Sequence, residues 1–176
     1  VWIAGRSPWE SHEARNGIPA ARRVHSQTLK RRGAKGEEDM KILVVDDEMV
    51  SREKMKMIMG HFGECDAVES GADAMEKFVS AWNSWSPYDL VSLDVQMPEM
   101  DGVEVLNRIR GMEREKNVPE NKRVKVVMVT ARSDKDTIMT SIQAGCNDYV
   151  VKPFDKRALT NTLEQFATSE ELVASA

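Results

Sequence analysis

Cysteine is nearly absent from this chain. Cys65 and Cys146 are far apart and neither belongs to a Cys-x-x-Cys pair, so no disulfide framework is expected and both thiols read as reduced. No stretch approaches the about 18 apolar residues of a membrane-spanning helix, and Val1 to Ser7 holds no basic segment leading into an apolar run. A cytoplasmic location without membrane insertion is the expectation that follows. Histidine is confined to His12, His25 and His61, none of which sits in a metal-binding or phosphotransfer constellation; His61 reads as a helix-end or packing residue. A dense basic stripe is missing as well. Lys and Arg outnumber Asp and Glu by eight to five in residues 1–39, but are outnumbered 17 to 24 in residues 40–176. The acidic body therefore lacks an electrostatic footprint for nucleic acid, and direct nucleic-acid binding is not expected. The short basic run from Arg22 to Lys35 is more often a solvated face than a contact for an acidic partner.

What is present suffices for one core. Of 176 residues, 41% are hydrophobic and 31% charged, the balance of a soluble domain of ordinary size with an extension. Residues 1–39, rich in Arg, Ser, Gly and Glu and interrupted by Pro8 and Pro19, read as a polar basic N-terminal extension or linker. From Met40 the pattern changes. Ile42 to Val45 form an apolar run, and Met55, Ile58, Met59 and Phe62 follow at helical spacing, which predicts a strand and then a helix. A second strand is expected near Cys65 to Val68, then a helix from about Ala72 with Met75, Phe78, Val79 and Trp82 on one face, then a strand from Tyr88 to Leu93. Trp82 fits the core side of that helix better than a partner patch shared with Trp85. Val105, Leu106, Ile109 and Met112 mark a third helix, Val124 to Val129 a fourth strand, and Ile138, Met139 and Ile142 a fourth helix ending near Gly145. Tyr149 to Val151 and then Leu159, Leu163 and Phe166 complete five strand-helix units. Strands that are apolar on both faces and alternate with helices predict an α/β fold. The expected architecture is a doubly wound five-stranded parallel sheet of flavodoxin-like order 2-1-3-4-5, filling residues 40–168. Residues 169–176 are expected to form a C-terminal tail, too short for an output domain.

In such a sheet the binding crevice lies beyond the carboxyl ends of the strands, where the candidate chemical residues fall. Asp46 and Asp47 follow the first strand, and Asp94 follows the third. Converging carboxylates repel one another unless a cation joins them, and an all-oxygen cluster suits a hard ion such as Mg2+, or Mn2+ in its place, better than zinc. Alternatively, Asp46 and Asp47 cap the next helix. Lys152, before Pro153, brings a compact positive charge that would neutralise phosphoryl oxygens, or else is a solvated surface lysine. Thr130 closes the fourth strand, where its hydroxyl either donates to a phosphoryl oxygen or caps a turn. Asp94 is the preferred nucleophile, a carboxylate able to form an acyl phosphate, with Asp46 and Asp47 holding the metal.

Val45-Asp46-Asp47-Glu48, Leu93-Asp94-Val95-Gln96-Met97-Pro98-Glu99-Met100-Asp101-Gly102, Val129-Thr130-Ala131, and Asp148 through Phe154 follow one another along the chain. These four landmarks in order resemble the response-regulator receiver family of two-component signalling, the CheY-like receivers. The resemblance runs from about Lys41 to Phe166. It implies that Asp46, Asp47, Asp94 and the backbone carbonyl of Gln96 coordinate Mg2+. It also implies that Asp94 takes phosphate from a histidine of a sensor kinase or phosphotransfer protein, and that Thr130 and Lys152 contact the phosphoryl group. Tyr149 takes the place of the aromatic that changes orientation with the threonine, biasing the face of the fourth helix, fifth strand and fifth helix toward a downstream effector. Periodicity alone leaves Tyr149 equally a packing residue. Pro153 matches a proline preceded by a cis peptide bond in the family. Gln96 and Arg132, two residues beyond Asp94 and Thr130, match positions that tune hydrolysis, Gln96 by orienting water and Arg132 by covering phosphoryl oxygens. Two departures stand out: Ser92 replaces a bulky apolar residue, and the Arg114 to Arg123 link is long, which reads as a neutral extension.

The expected function is that of a receiver that accepts phosphate on Asp94 and switches a partner-binding surface, with output through an effector or a missing output domain. Such a chain supports its own Mg2+-dependent phosphorylation and dephosphorylation without being a metabolic enzyme. The alternatives are a phosphorelay intermediate and a Mg2+-dependent small-molecule phosphatase or phosphotransferase; the absence of a substrate-binding cap disfavours the latter.

Overall fold

Ile42, Leu43, Val44 and Val45 are fully buried on both sides of their strand, which makes β1 (Met40–Val45) a central strand. The structure is a computed structural model that describes residues 40–131 and 135–174, with side chains as far as Phe166. All of these lie in one unit, Gly36–Ala176. After β1 come α1 (Met49–Met59), β2 (Gly63–Val68), α2 (Gly71–Asn83), β3 (Leu90–Asp94) and α3 (Gly102–Glu115). A single 3-10 turn at Glu120–Lys122 precedes β4 (Lys125–Thr130), α4 (Lys135–Ala144), β5 (Asp148–Val151) and α5 (Lys156–Ala174). The strands pair in parallel in the order β2-β1-β3-β4-β5, the doubly wound flavodoxin-like sheet that the sequence predicts.

Alternation along the strands sorts the core into two layers. Leu43, Val45, Val91, Leu93, Val126 and Met128 face α2 and α3, meeting Ala74, Phe78, Val105, Leu106 and Ile109. Ile42, Val44, Leu90, Val127, Val129 and Val150 face α1 and α5, meeting Met55, Ile58, Met59, Leu159 and Leu163. Each of the Val, Leu, Ile, Phe and Met side chains among them contributes about 1.5–3 kcal/mol by leaving water. Ser92, fully buried in β3, directs its hydroxyl to the sulfur of the likewise buried Met55. The long link after α3 folds back on its own helix: Val118 N–H donates to Glu113 O at 2.8 Å and Asn117 N–H to Arg114 O at 2.9 Å.

Local chemistry sets the helix starts. The Ser70 hydroxyl accepts from Asp73 N–H at 3.1 Å, and Asp101 Oδ1 accepts from Glu104 N–H at 2.7 Å, capping α2 and α3. Two details depart from the sequence expectation. Phe62 lies beyond α1, which stops before Gly60, and packs against the core from the turn into β2. In α4 the expected apolar positions Met139 and Ile142 are exposed, and the buried residue is Ser141. Trp82 packs against the core beside Phe78, with ring centroids 6.1 Å apart, while Trp85 is exposed. No described helix is long and apolar enough to cross a membrane.

Candidate phosphoacceptor site

β1 and β3 are neighbours with Val45 level with Leu93, so the residues that follow these two partners emerge side by side. Asp46 comes directly after β1 and is fully buried; Asp94 closes β3 at 4% exposure; Asp47 is exposed. One carboxylate oxygen from each of the three lies within 4.8 Å of the others. Lys152 follows β5, ahead of the cis bond to Pro153, and its Nζ sits 2.8 Å from Asp46 Oδ2 and 2.7 Å from Asp94 Oδ2. Thr130 ends β4 level with Val151, is buried, and accepts through its backbone carbonyl from Lys152 N–H at 2.7 Å. The structure thus brings together Asp46, Asp47, Asp94 and Lys152, and sets Thr130 at the end of the adjoining strand.

The hydrogen bonds at the cluster are directional. Asp46 Oδ1 accepts from Glu48 N–H at 3.0 Å, and Asp46 Oδ2 from the Ser51 hydroxyl at 2.7 Å. Neither Asp46 nor Asp47 caps α1, whose N-cap is Glu48 with no side-chain cap bond. Asp94 Oδ1 accepts from Gln96 N–H at 3.2 Å, and Gln96 itself is exposed. Gly102 lies so close beneath this loop that a Cβ there would meet Asp94 O at 2.1 Å, so a larger residue would push the Asp94 backbone out of place. Tyr149 sits in β5 opposite Met128 and is exposed. Arg132 lies outside the described residues.

Burial raises the pKa of Asp94 above the ordinary carboxylate value, aided by the neighbouring Asp46 charge, against the pull of Lys152 and the Gln96 N–H. For Lys152 burial works against the ammonium, yet its hydrogen bonds to Asp46 and Asp94 prevail and its pKa is raised. The ammonium is therefore a fixed positive charge at the carboxylate pair. Every ligand atom of the acidic cluster is a carboxylate oxygen, a donor set that fits a hard divalent cation of the Mg2+ type.

Ser51 and Arg52 are site residues that the sequence reading missed. Arg52 donates through one nitrogen to Asp46 O at 2.7 Å and to Asp47 O at 3.3 Å. Their only signal is position, five and six residues after Asp46 in the first turn of α1, where a polar residue is ordinarily solvated.

The family model for the response regulator receiver domain matches residues 42–164. The chain belongs to the response-regulator receiver family. Among curated relatives, this receiver is 33% identical to a chemotaxis protein CheY homolog of Campylobacter jejuni over 128 residues, 71% of this chain and 90% of that protein. It is 36% identical over 120 residues to the transcriptional regulatory protein ResD of Bacillus subtilis, covering 68% of this chain but 44% of ResD. It spans only 7% of the hybrid signal transduction histidine kinase L of Dictyostelium discoideum, at 33% identity. Among solved structures, the BeF3-activated receiver domain of Thermotoga maritima DrrB aligns with a TM-score of 0.59 and 27% identity, over 72% of this chain and 96% of that one. The receiver domain of an Arabidopsis thaliana histidine kinase, complexed with Mg2+ and BeF3−, aligns with a TM-score of 0.60 and 26% identity, over 73% and 90% of the two chains.

Proposed function

We propose that this receiver accepts a phosphoryl group on Asp94 from a phosphohistidine of a sensor histidine kinase or histidine-phosphotransfer protein. The change then passes to a downstream effector or to an output domain of a longer parent chain. The observation that carries this reading is the single ammonium of Lys152 set between Asp46 and Asp94, with Asp47 completing an all-oxygen cluster.

In the transfer step an Asp94 carboxylate oxygen attacks phosphorus, the P–O bond forms as the P–N bond breaks, and the imidazole nitrogen leaves with the bonding pair. Hydrolysis adds water at phosphorus and returns the carboxylate and inorganic phosphate. Asp46, Asp47 and Asp94, with the backbone carbonyl of Gln96, would hold Mg2+ or Mn2+, which when bound supplies charge neutralisation at the phosphoryl oxygens. Lys152 is already within hydrogen-bond reach of Asp94 and adds a second positive charge there. Thr130 offers its hydroxyl from the adjoining strand end, and Tyr149 is the aromatic whose orientation follows it. The face then biased is that of α4, β5 and α5, where Met139, Ile142 and Tyr149 are exposed. Gln96 and Arg132 tune the hydrolysis, the first by orienting water and the second by covering phosphate. The Mg2+ and BeF3− bound to the Arabidopsis receiver support the same assignment of metal and phosphoryl mimic.

Mg2+ and a small acyl-phosphate donor are expected to add one phosphoryl group to the protein as a base-labile acyl phosphate. Intact-protein mass spectrometry reads it, and Asp94→Asn is expected to show none. Equal labelling of Asp94→Asn overturns the acceptor assignment.

A further inference from the structure

We infer that Arg52 is a positioning residue for the acidic pair: its guanidinium clasps the backbone carbonyls of Asp46 and Asp47 and so aims both carboxylates at the cation site. The inference rests on the reading, proposed above, of Asp46 and Asp47 as ligands of a divalent cation.

Only Asp46, Asp47 and Glu48 separate β1 from α1, and α1 has no side-chain cap to stiffen its entry. Other donors fix Asp46. Its N–H bonds to Val68 O at 3.2 Å, and its carboxylate is engaged by Glu48 N–H, Ser51 and Lys152. Its buried carbonyl accepts from Arg52 at 2.7 Å, and a buried carbonyl of this kind is costly to leave unpaired. Asp47 is different. Its side chain is exposed, so its aim has to be set through the backbone, and the contact made there is the same guanidinium nitrogen at 3.3 Å.

The contact with Glu69 does not explain Arg52. That pair stands at 3.5 Å with the Glu69 side chain 72% exposed, a geometry that contributes little, whereas the Arg52 side chain is 14% exposed and its shortest bond is to Asp46 O. The placement also divides labour between the two cations of the site. Lys152 sits on the carboxylate oxygens themselves, whereas Arg52 engages carbonyls and leaves carboxylate lone pairs for the metal. A planar fork that serves two adjacent carbonyls and reaches a third group suits arginine and not lysine.

The test uses the full chain with Arg52→Ala, Arg52→Lys and Glu69→Gln, titrated with Mg2+ by calorimetry and unfolded in urea without metal. Groups that orient metal ligands typically change affinity by about tenfold or more when removed. Arg52→Ala is expected to weaken Mg2+ binding by about that factor, and Glu69→Gln to bind as wild type does. Arg52→Lys, which keeps the charge and carries the test if the alanine variant does not fold, is expected to stay several-fold weak. In acyl-phosphate labelling the half-saturating Mg2+ concentration should rise while the plateau rate is kept. Wild-type Mg2+ affinity in Arg52→Ala, whatever its stability, or in Arg52→Lys, overturns the clasp. Absence of Mg2+ binding by the wild type would instead overturn the metal-site reading and the inference with it.

Discussion

A thiol half out of water illustrates how strongly individual positions in this domain are conditioned by their surroundings. Cys65, in β2, is pushed up from 9.0 to about 11, chiefly by burial, with Lys56 opposing and the carboxylates of Asp66 and Glu64 reinforcing the shift. Between those two values the folded chain keeps a proton that the unfolded chain has lost. The contribution to stability is therefore complete below pH 9 and is lost as pH rises through 11. At pH 8 the native thiol is therefore far less ionised than that of the unfolded chain, and the thiolate is the reactive form. Iodoacetamide at pH 8 is accordingly expected to alkylate Cys65 far more slowly in the native protein than in urea, with peptide mass spectrometry separating it from Cys146. Equal rates in the two solvents would contradict the assigned environment. Burial raises Cys146 in the same direction, with Asp148 adding to it.

Within α3, two charge pairs that look alike in sequence have opposite weight. Glu104 and Arg108 meet at 2.7 Å with both side chains about half exposed, an arrangement worth a few tenths of a kcal/mol at most. Arg110 and Glu113 also meet at 2.7 Å, but at 6% and 0% side-chain exposure. The Arg110 guanidinium further donates to Val124 O, Gly145 O and Asn147 Oδ1, and Glu113 accepts from Val124 N–H, so one buried network ties the end of α3 to the start of β4 and the α4–β5 turn. Glu113→Ala leaves that guanidinium buried without its counter-charge and is expected to cost about 3–5 kcal/mol. The urea midpoint should fall with little change in slope. A midpoint within error of wild type would show the network to be dispensable. Sequence could not separate these pairs, because both are short-range charge pairs on one helix and burial is decided by elements distant in the chain. The strands were legible for the converse reason: Ile42 to Val45 and Val126 to Val129 are apolar on both faces, which a central parallel strand alone requires. Periodicity also found α4 through Ile138, Met139 and Ile142, but it does not say which side a helix at the sheet margin buries, and there Ser141 faces inward.

On the scale of the whole domain, the sheet order converts sequence-distant loops into one site. Asp46, Asp94, Thr130 and Lys152 were each readable because each stands at or just past a strand's carboxyl end, and the parallel order gathers those ends. Ser51 and Arg52 were not, because their partners depend on how the β1–α1 loop folds back on its own helix. A ligand held by residues from separate loops binds the native state and not the unfolded chain. Mg2+ at a hundred times its Kd is expected to add about 2.7 kcal/mol to the unfolding free energy. Asp47→Ala should lose most of that increment at the same Mg2+ concentration, and an equal increment in both proteins would remove Asp47 from the proposed metal site. The two margins of the sheet bear on a separate property. Among the described residues β2 and β5 each have a neighbour on one side only, and a sheet margin of this kind can offer its backbone groups to a strand from another molecule. β5 offers just four residues, and β2 carries Glu64, exposed, and Asp66, which a stacking strand would have to bring into close company with its own side chains. Edge-to-edge pairing through β2 or β5 is thereby discouraged.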